Sequence, residues 1–210
     1  MTEAGILMSA EVNVQAPTVC QHTLKVMHLR ASPFVGSPEK LLLAQLQHLP
    51  QAGWAYEFGI FDEQGSPGND FATCLRQHSS RTVVLDERLS RAGATLLQLI
   101  AKLRRQKTIL ICAHDYKSNF YAFIVSWIIR CPVVAVCHGR TSHNWRTRIY
   151  EALDNLILSR VQAVIAVSHA MKTQLGRLGI PTNRIYVIPN GLDPADHDPG
   201  QVGRFRRELG

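Results

Sequence analysis

Two histidines, His114 and His138, each stand directly after a short apolar run, Thr108–Ala113 and Val133–Cys137 respectively. A histidine emerging from the end of a buried strand can hydrogen-bond sugar hydroxyls, stabilise a phosphate and change charge near neutral pH. Gly139 follows His138 and allows a ligand to approach the backbone closely. Two further runs end in the same manner, Ala163–Val167 before Ser168 and Ile185–Ile188 before Pro189-Asn190-Gly191. Ligands of a parallel sheet bind in the crevice beyond the carboxyl ends of its strands, so these four polar ends are expected to face one site. Nearer the start of the chain, Gly36 precedes Ser37-Pro38-Glu39, where Ser37 fits a helix cap, Pro38 fits the first helical turn, and free N–H groups suit a phosphate. Each feature also has a plain structural use: Ser168 as a helix cap, Asn190-Gly191 as a turn needing positive φ, and Gly36 as an ordinary helix start.

The elements that must position these residues alternate between β and α along the chain. Earlier strands are expected at Leu24–Leu29, Ala55–Phe61 and Thr82–Leu85. Helices are expected after Pro38, with Leu41, Leu42, Leu43, Leu46 and Leu49 turned inward, at Phe71–Ser80, and at Ala92–Gln106. The core stripe of the last is Leu96, Leu97, Leu99, Ile100 and Leu103. Later helices fall at Ser118–Arg130, Trp145–Ser159 and His169–Leu178. The fold class is α/β, a doubly wound Rossmann-like parallel sheet.

A chain of 210 residues is long enough for one well-buried α/β domain and short for two. Residues 1–22 read as a flexible tail, with neither the basic start nor the apolar run of a signal peptide. Five cysteines, with Cys112, Cys131 and Cys137 in or beside apolar strands, point to a reducing cytoplasm. The apolar stretch Phe120–Ile129 is about half the ~20 residues a spanning helix needs and is expected to be a buried helix.

The net charge of +7 is concentrated in residues 101–160, where ten Lys/Arg, among them Arg146 and Arg148, face only Asp115, Glu151 and Asp154. Such a sector suits a phosphate-bearing ligand or an anionic membrane surface. Nucleic acid is disfavoured, because no aromatic residues interleave with the charges to stack bases. A metal site from Cys112, His114, Cys137 and His138 is disfavoured by strand alternation, which sends Cys137 and His138 to opposite faces. A serine hydrolase is a second alternative, since Ala166-Val167-Ser168-His169-Ala170 could form a nucleophile elbow, although only His169 and His197 follow as bases.

Taken in order, Val133-Val-Ala-Val-Cys-His138-Gly139, Ala163-Val-Ile-Ala-Val-Ser168 and Ile185-Tyr-Val-Ile-Pro-Asn190-Gly191-Leu-Asp193 resemble the amino-terminal domain of family 4 retaining glycosyltransferases of the GT-B fold. The resemblance runs from about Lys25 to Asp193. Ile109-Leu-Ile-Cys-Ala-His114-Asp115 looks like the strand before that core, and Gly36-Ser37-Pro38-Glu39 like the family's Gly-Gly-x-Glu turn, with Ser37 replacing the second glycine.

The resemblance implies a domain over residues 23–193 and the start of an interdomain linker over 194–210. It implies transfer of a sugar, with retention, from a nucleotide-diphosphate sugar to a glycan or polyprenyl-phosphate-linked acceptor. In that reading His138 is the catalytic contact to the donor sugar, Gly36 and Gly139 lie near the donor phosphates, and His114, Arg146 and Arg148 serve the acceptor. No cofactor or metal is expected. The family's donor site, with its Glu-x₇-Glu motif, lies in a carboxyl-terminal domain. Glu3 and Glu11 have that spacing only by chance, so the isolated chain is expected to be inactive without a separate donor domain. A non-catalytic module binding a sugar phosphate or a membrane surface is the first alternative. The expected location is cytoplasmic, peripheral to the inner membrane face.

Overall fold

Alternation along the first strand places its residues in opposite layers: Met27 and Leu29 join the main core, while His28 is buried on the other face of the sheet. In the computed structural model the described residues are 24–48, 54–62, 69–78, 82–86, 91–139 and 145–191, with the side chains of residues 47, 48, 62, 78, 86 and 145–148 excluded. The expected tail at 1–22 and linker at 194–210 lie outside them.

The elements run β1 (Leu24–Arg30), α1 (Ser37–His48), β2 (Trp54–Asp62), α2 (Asp70–His78), β3 (Thr82–Asp86), α3 (Ala92–Gln106), β4 (Leu110–Ala113), α4 (Tyr116–Ile129), β5 (Val133–Cys137), α5 (Trp145–Leu158), β6 (Ala163–Ala166), α6 (His169–Arg177), a short 3-10 turn (Thr182–Arg184) and β7 (Ile185–Val187). All strands are parallel, in the order β3-β2-β1-β4-β5-β6-β7. The sheet grows outward from β1 through β2 to β3, then returns to place β4 on the other side of β1. That reversal opens a crevice at the carboxyl ends of β1 and β4, the position where such sheets bind ligands.

Right-handed crossovers put α1 and α2 on one face and the later helices on the other. The smaller core joins Leu42 of α1 and Phe71, Ala72 and Leu75 of α2 to Phe58 and Ile60 of β2. The larger packs Leu99 and Leu103 of α3, Ala122 and Val125 of α4, and Ile157 and Leu158 of α5 onto Leu29, Ile111, Ala113, Val133 and Ala135.

Several expectations shift. Gly36, not Ser37, caps α1: Gly36 O accepts from Lys40 N–H, and Glu39 at the third helical position returns its carboxylate to Gly36 N–H at 2.9 Å, the second half of a capping box. Pro38 is therefore the second helical residue. Leu97 is not in the α3 stripe and is 69% exposed, whereas Thr95 is buried, because residues 95, 99 and 103 share one line of the helix and Leu97 lies about 200° away from it. The apolar run in α4 is only partly buried. Phe120, Trp127 and Ile128 stay exposed while Tyr121, Ala122 and Val125 face the core. None of the helices among the described residues is long and apolar enough to cross a membrane.

Candidate functional site

At the switch point the strand ends deliver Arg30 from β1, His114 and Asp115 from β4, and His138 and Gly139 from β5 to one cavity of about 160 Å³. Asn119 of α4 and Asp154 of α5 complete its polar wall. Three of the residues expected from sequence, His114, His138 and Gly139, thus meet there.

The others do not. Ser168 is exposed at the start of α6 and its Oγ accepts from Met171 N–H at 3.1 Å, the capping role. Asn190 is exposed and, like Ser168, does not line the cavity. Gly36 stands at the α1 end, with its N–H already held by Glu39. Arg146 and Arg148 lie in α5, but their side chains are outside the described residues.

Sequence reasoning passed over the residue that organises this end of the sheet. The Arg30 guanidinium donates to Glu39 Oε1 from Nε at 2.7 Å and from Nη2 at the same distance, and its Nη1 donates to the His114 carbonyl at 2.6 Å. Asp115 Oδ2 is 3.9 Å from that Nη1. One charged fork therefore ties β1 to α1 and β4. The signal is present in the sequence, since Arg30 directly follows the apolar run of the first strand, as His114 and His138 follow theirs.

Asp115 accepts from Ala31 N–H at 2.8 Å and, as the cap of α4, from Ser118 N–H at 2.9 Å and Ser118 Oγ–H at 2.7 Å. Burial pushes its carboxyl above the ordinary value, against the pull of those donors and of Arg30. Glu39 has no exposed side-chain surface; burial would raise its pKa, but the charge and hydrogen bonds of Arg30 outweigh this and hold it below the ordinary value.

Three histidines form a line leading out of the core. His28 Nδ1 is 2.9 Å from His114 Nε2, and His114 Nδ1 is 3.2 Å from His138 Nε2. Consecutive rings are nearly coplanar, 17° and 22° apart with centroids at 5.2 and 5.5 Å, so they meet edge to edge through the shared nitrogens. Burial pushes His28 and His138 down to about 4 and His114 well below 6.5, so all three are neutral near pH 7.

Asn119 donates from Nδ2 to Asp154 Oδ1 at 2.7 Å, with both residues buried. Two atoms of cavity-lining residues, Asn119 Oδ1 and His138 Nδ1, are buried without a partner among the described residues. Leaving such groups unpaired is unfavourable, so the wall is chemically suited to a ligand rich in hydroxyls. Among the described residues no three His, Cys, Asp or Glu side chains are arranged so that they could hold one metal ion. Burial raises the thiols of Cys112 to about 12 and Cys131 to about 11, which keeps both protonated, and Cys131 precedes β5, at the end of the strand away from the cavity.

Comparison with known proteins places this architecture. The pattern of the family described as Glycosyltransferase Family 4 matches residues 39–196. The fold is similar to that of Anabaena HepE, solved in complex with UDP (24% identity, TM-score 0.69, 89% of this chain and 50% of that one). It is also similar to a glycosyltransferase from Rickettsia africae (14%, 0.63, 89% and 49%). A third similar structure is UDP-GlcNAc 2-epimerase from Neisseria meningitidis bound to UDP-GlcNAc (16%, 0.59, 80% and 46%). The chain thus spans about half the length of these structures. No curated protein matches it.

Proposed function

Since the chain belongs to glycosyltransferase family 4 and has the fold of the amino-terminal half of a GT-B enzyme, we propose that it is the acceptor-side half of a retaining glycosyltransferase. It transfers a sugar from a nucleotide-diphosphate sugar to a glycan or polyprenyl-phosphate-linked acceptor. The observation that carries this reading is the polar cavity at the strand switch point, whose lining residues His138 and Asn119 each hold a buried polar atom without a partner among the described residues. The same fold occurs in an epimerase, and the family match favours transfer. The Ser168 hydrolase gives way to that match and to the capping role of its hydroxyl.

In the proposed mechanism the acceptor hydroxyl enters beside Asn119 and Asp154, and neutral His138 contacts the donor sugar from the end of β5. His114 holds that imidazole in place. Gly139, with open space where a Cβ would stand, lets the donor come near the backbone. The leaving diphosphate requires stabilising groups from a second α/β domain.

Two results follow. The purified 210-residue chain shows no sugar transfer, and joining it to a donor-binding half produces transfer that His138→Ala lowers on the order of 10²-fold in kcat. UDP-sugars are the first donors to test, given the UDP complex of the similar Anabaena structure. Robust transfer by the 210-residue chain alone defeats the division of labour.

A lipid-linked acceptor brings the protein to the cytoplasmic face of a membrane. Supporting this, α5 exposes Ile149, Leu153 and Leu156 along one side near Arg160, and α4 exposes Phe120 and Trp127 ahead of Arg130. Apolar residues bordered by arginines suit the boundary of an anionic bilayer. Phosphatidylglycerol vesicles are expected to sediment the chain at low salt and release it at 1 M salt, while phosphatidylcholine vesicles leave it in solution. Equal partition to both lipids would count against a membrane surface.

A further inference from the structure

The three-histidine line constrains its own protons. Between neutral rings each of the two shared hydrogen bonds needs one N–H and one bare nitrogen, and each ring carries a single proton. Only two arrangements meet both conditions. In the first, all three protons sit on Nε2, so His138 donates to His114, His114 donates to His28, and His138 Nδ1 is a bare acceptor. In the second, all three sit on Nδ1, the direction reverses, and His138 Nδ1 becomes a donor.

We propose that His28 and His114 are positioning residues that fix His138 in the first arrangement, so that it presents an acceptor nitrogen to a ligand hydroxyl. Two features select this direction. The Arg30 guanidinium lines the cavity with His138 and favours a lone pair there over a second N–H dipole pointing outward. At the far end, His28 Nε2 has no polar partner among the described residues and lies among the rings of Tyr56 and Phe58, with centroids 5.3 Å away. The Tyr56 ring is tilted 46° from the imidazole and can receive the in-plane N–H on its face, whereas a bare nitrogen would direct a lone pair at it; Phe58, at 24°, lies too nearly parallel to choose.

The line does not carry protons away. Were a hydroxyl proton transferred to His138 Nδ1, the Nε2 proton of His138 would pass to His114 and that of His114 to His28, leaving His28 doubly protonated inside the core. Burial opposes that cation, and burial together with the charge of Arg30 opposes one held on His138 itself. His138 therefore orients a hydroxyl by accepting its hydrogen bond and does not act as a general base. The role toward a sugar rests on the functional reading above; the tautomer order does not.

The test is two-bond ¹H–¹⁵N correlation spectroscopy on the ¹⁵N-histidine-labelled chain at pH 7.5, with no donor or acceptor present. The expected spectrum shows His28, His114 and His138 all as the Nε2–H tautomer. In His28→Phe, which removes the far anchor, the His138 nitrogens are expected to move toward the midpoint of the two tautomers. A tautomer mixture or Nδ1–H at His138 in the unaltered chain overturns the proposal, and needs no variant to fold. An unchanged His138 signal in a folded His28→Phe protein overturns it as well. Sugar transfer does not enter this measurement, so failure of the glycosyltransferase reading would leave the spectrum unaffected, and the reverse also holds.

Discussion

Replacing Arg30 with methionine lowers the stability of the chain by about 3–5 kcal/mol, the typical loss when one partner of a buried ion pair is removed. The reason is the environment of Glu39. Its side chain has no exposed surface, and its carboxylate is held by Arg30 at 2.7 Å and by Gly36 N–H at 2.9 Å. Without the guanidinium, a charge in the core keeps only neutral donors, and the His114 carbonyl loses its own donor as well. Lysine does not restore the pair, because a point charge cannot reproduce the fork that reaches Glu39 and the β4 carbonyl together. The double variant Arg30→Met with Glu39→Gln should recover most of the loss, since the unpaired charge is then gone. Urea denaturation of the four proteins at pH 7.5 gives the coupling energy. Near-additive effects of the two substitutions would show that the pair is not the source of the stability.

Acid weakens the fold in a window set by the histidines. His28 has a folded pKa of about 4 against 6.5 in the unfolded chain. Above pH 6.5 both states are neutral at this ring and stability does not respond. Between pH 6.5 and 4 the unfolded state takes up a proton that the folded state refuses, so stability falls as pH falls, by about 3 kcal/mol from this group alone. Below pH 4 the dependence flattens. His114 and His138 are shifted in the same direction and steepen the loss. The nearby carboxylates partly divide. Asp115, raised by burial, binds its proton more readily when folded and opposes the trend; Glu39, lowered overall by Arg30 despite burial, adds loss below the usual carboxylate range.

His28→Phe isolates one member of this set. At pH 8 the variant should be about 1–3 kcal/mol less stable, because His114 Nε2 loses its buried partner. By pH 4.5 the gap should close, since the phenylalanine protein no longer loses stability through protonation at this position. Midpoints of urea unfolding from pH 8 to 4 provide the comparison. Parallel curves for the two proteins would mean that His28 does not carry a depressed pKa.

The fold was legible in sequence because it depends on patterns that neighbouring residues carry in themselves. Val133–Cys137 and Ala92–Gln106 have in the structure the bounds expected from apolar periodicity and helix length. Other ends moved by one to a few residues, where the last turn or the first strand residue is decided by a hydrogen bond to a distant partner. Ile109 illustrates this. With Thr108 it precedes β4: Ile109 N–H donates to Lys25 O on β1, while Thr108 is held back by a local bond to Leu103 O in the left-handed turn that closes α3. Local propensity does not describe the contact to Lys25.

The site was legible in part. His114 and His138 follow apolar runs, and the order of strands brought them together as expected. Arg30 was missed because its importance comes from Glu39 and from the His114 carbonyl, nine and 84 residues away. His28 was hidden for another reason: inside a strand rich in Val, Met and Leu it reads as one polar interruption, and only the register of β1 beside β4 turns it toward His114.

The sequence by itself therefore determined the class of the fold, its parallel strands and the family to which the chain belongs, because hydrophobic periodicity and ordered short motifs survive in one dimension. Tertiary structure decided the chemistry of the cavity. The Arg30–Glu39 fork, the line from His28 to His138 and the Asn119–Asp154 pair all join residues of different strands and helices. Their geometry and their charge states depend on burial, and burial exists only once the sheet has closed around them.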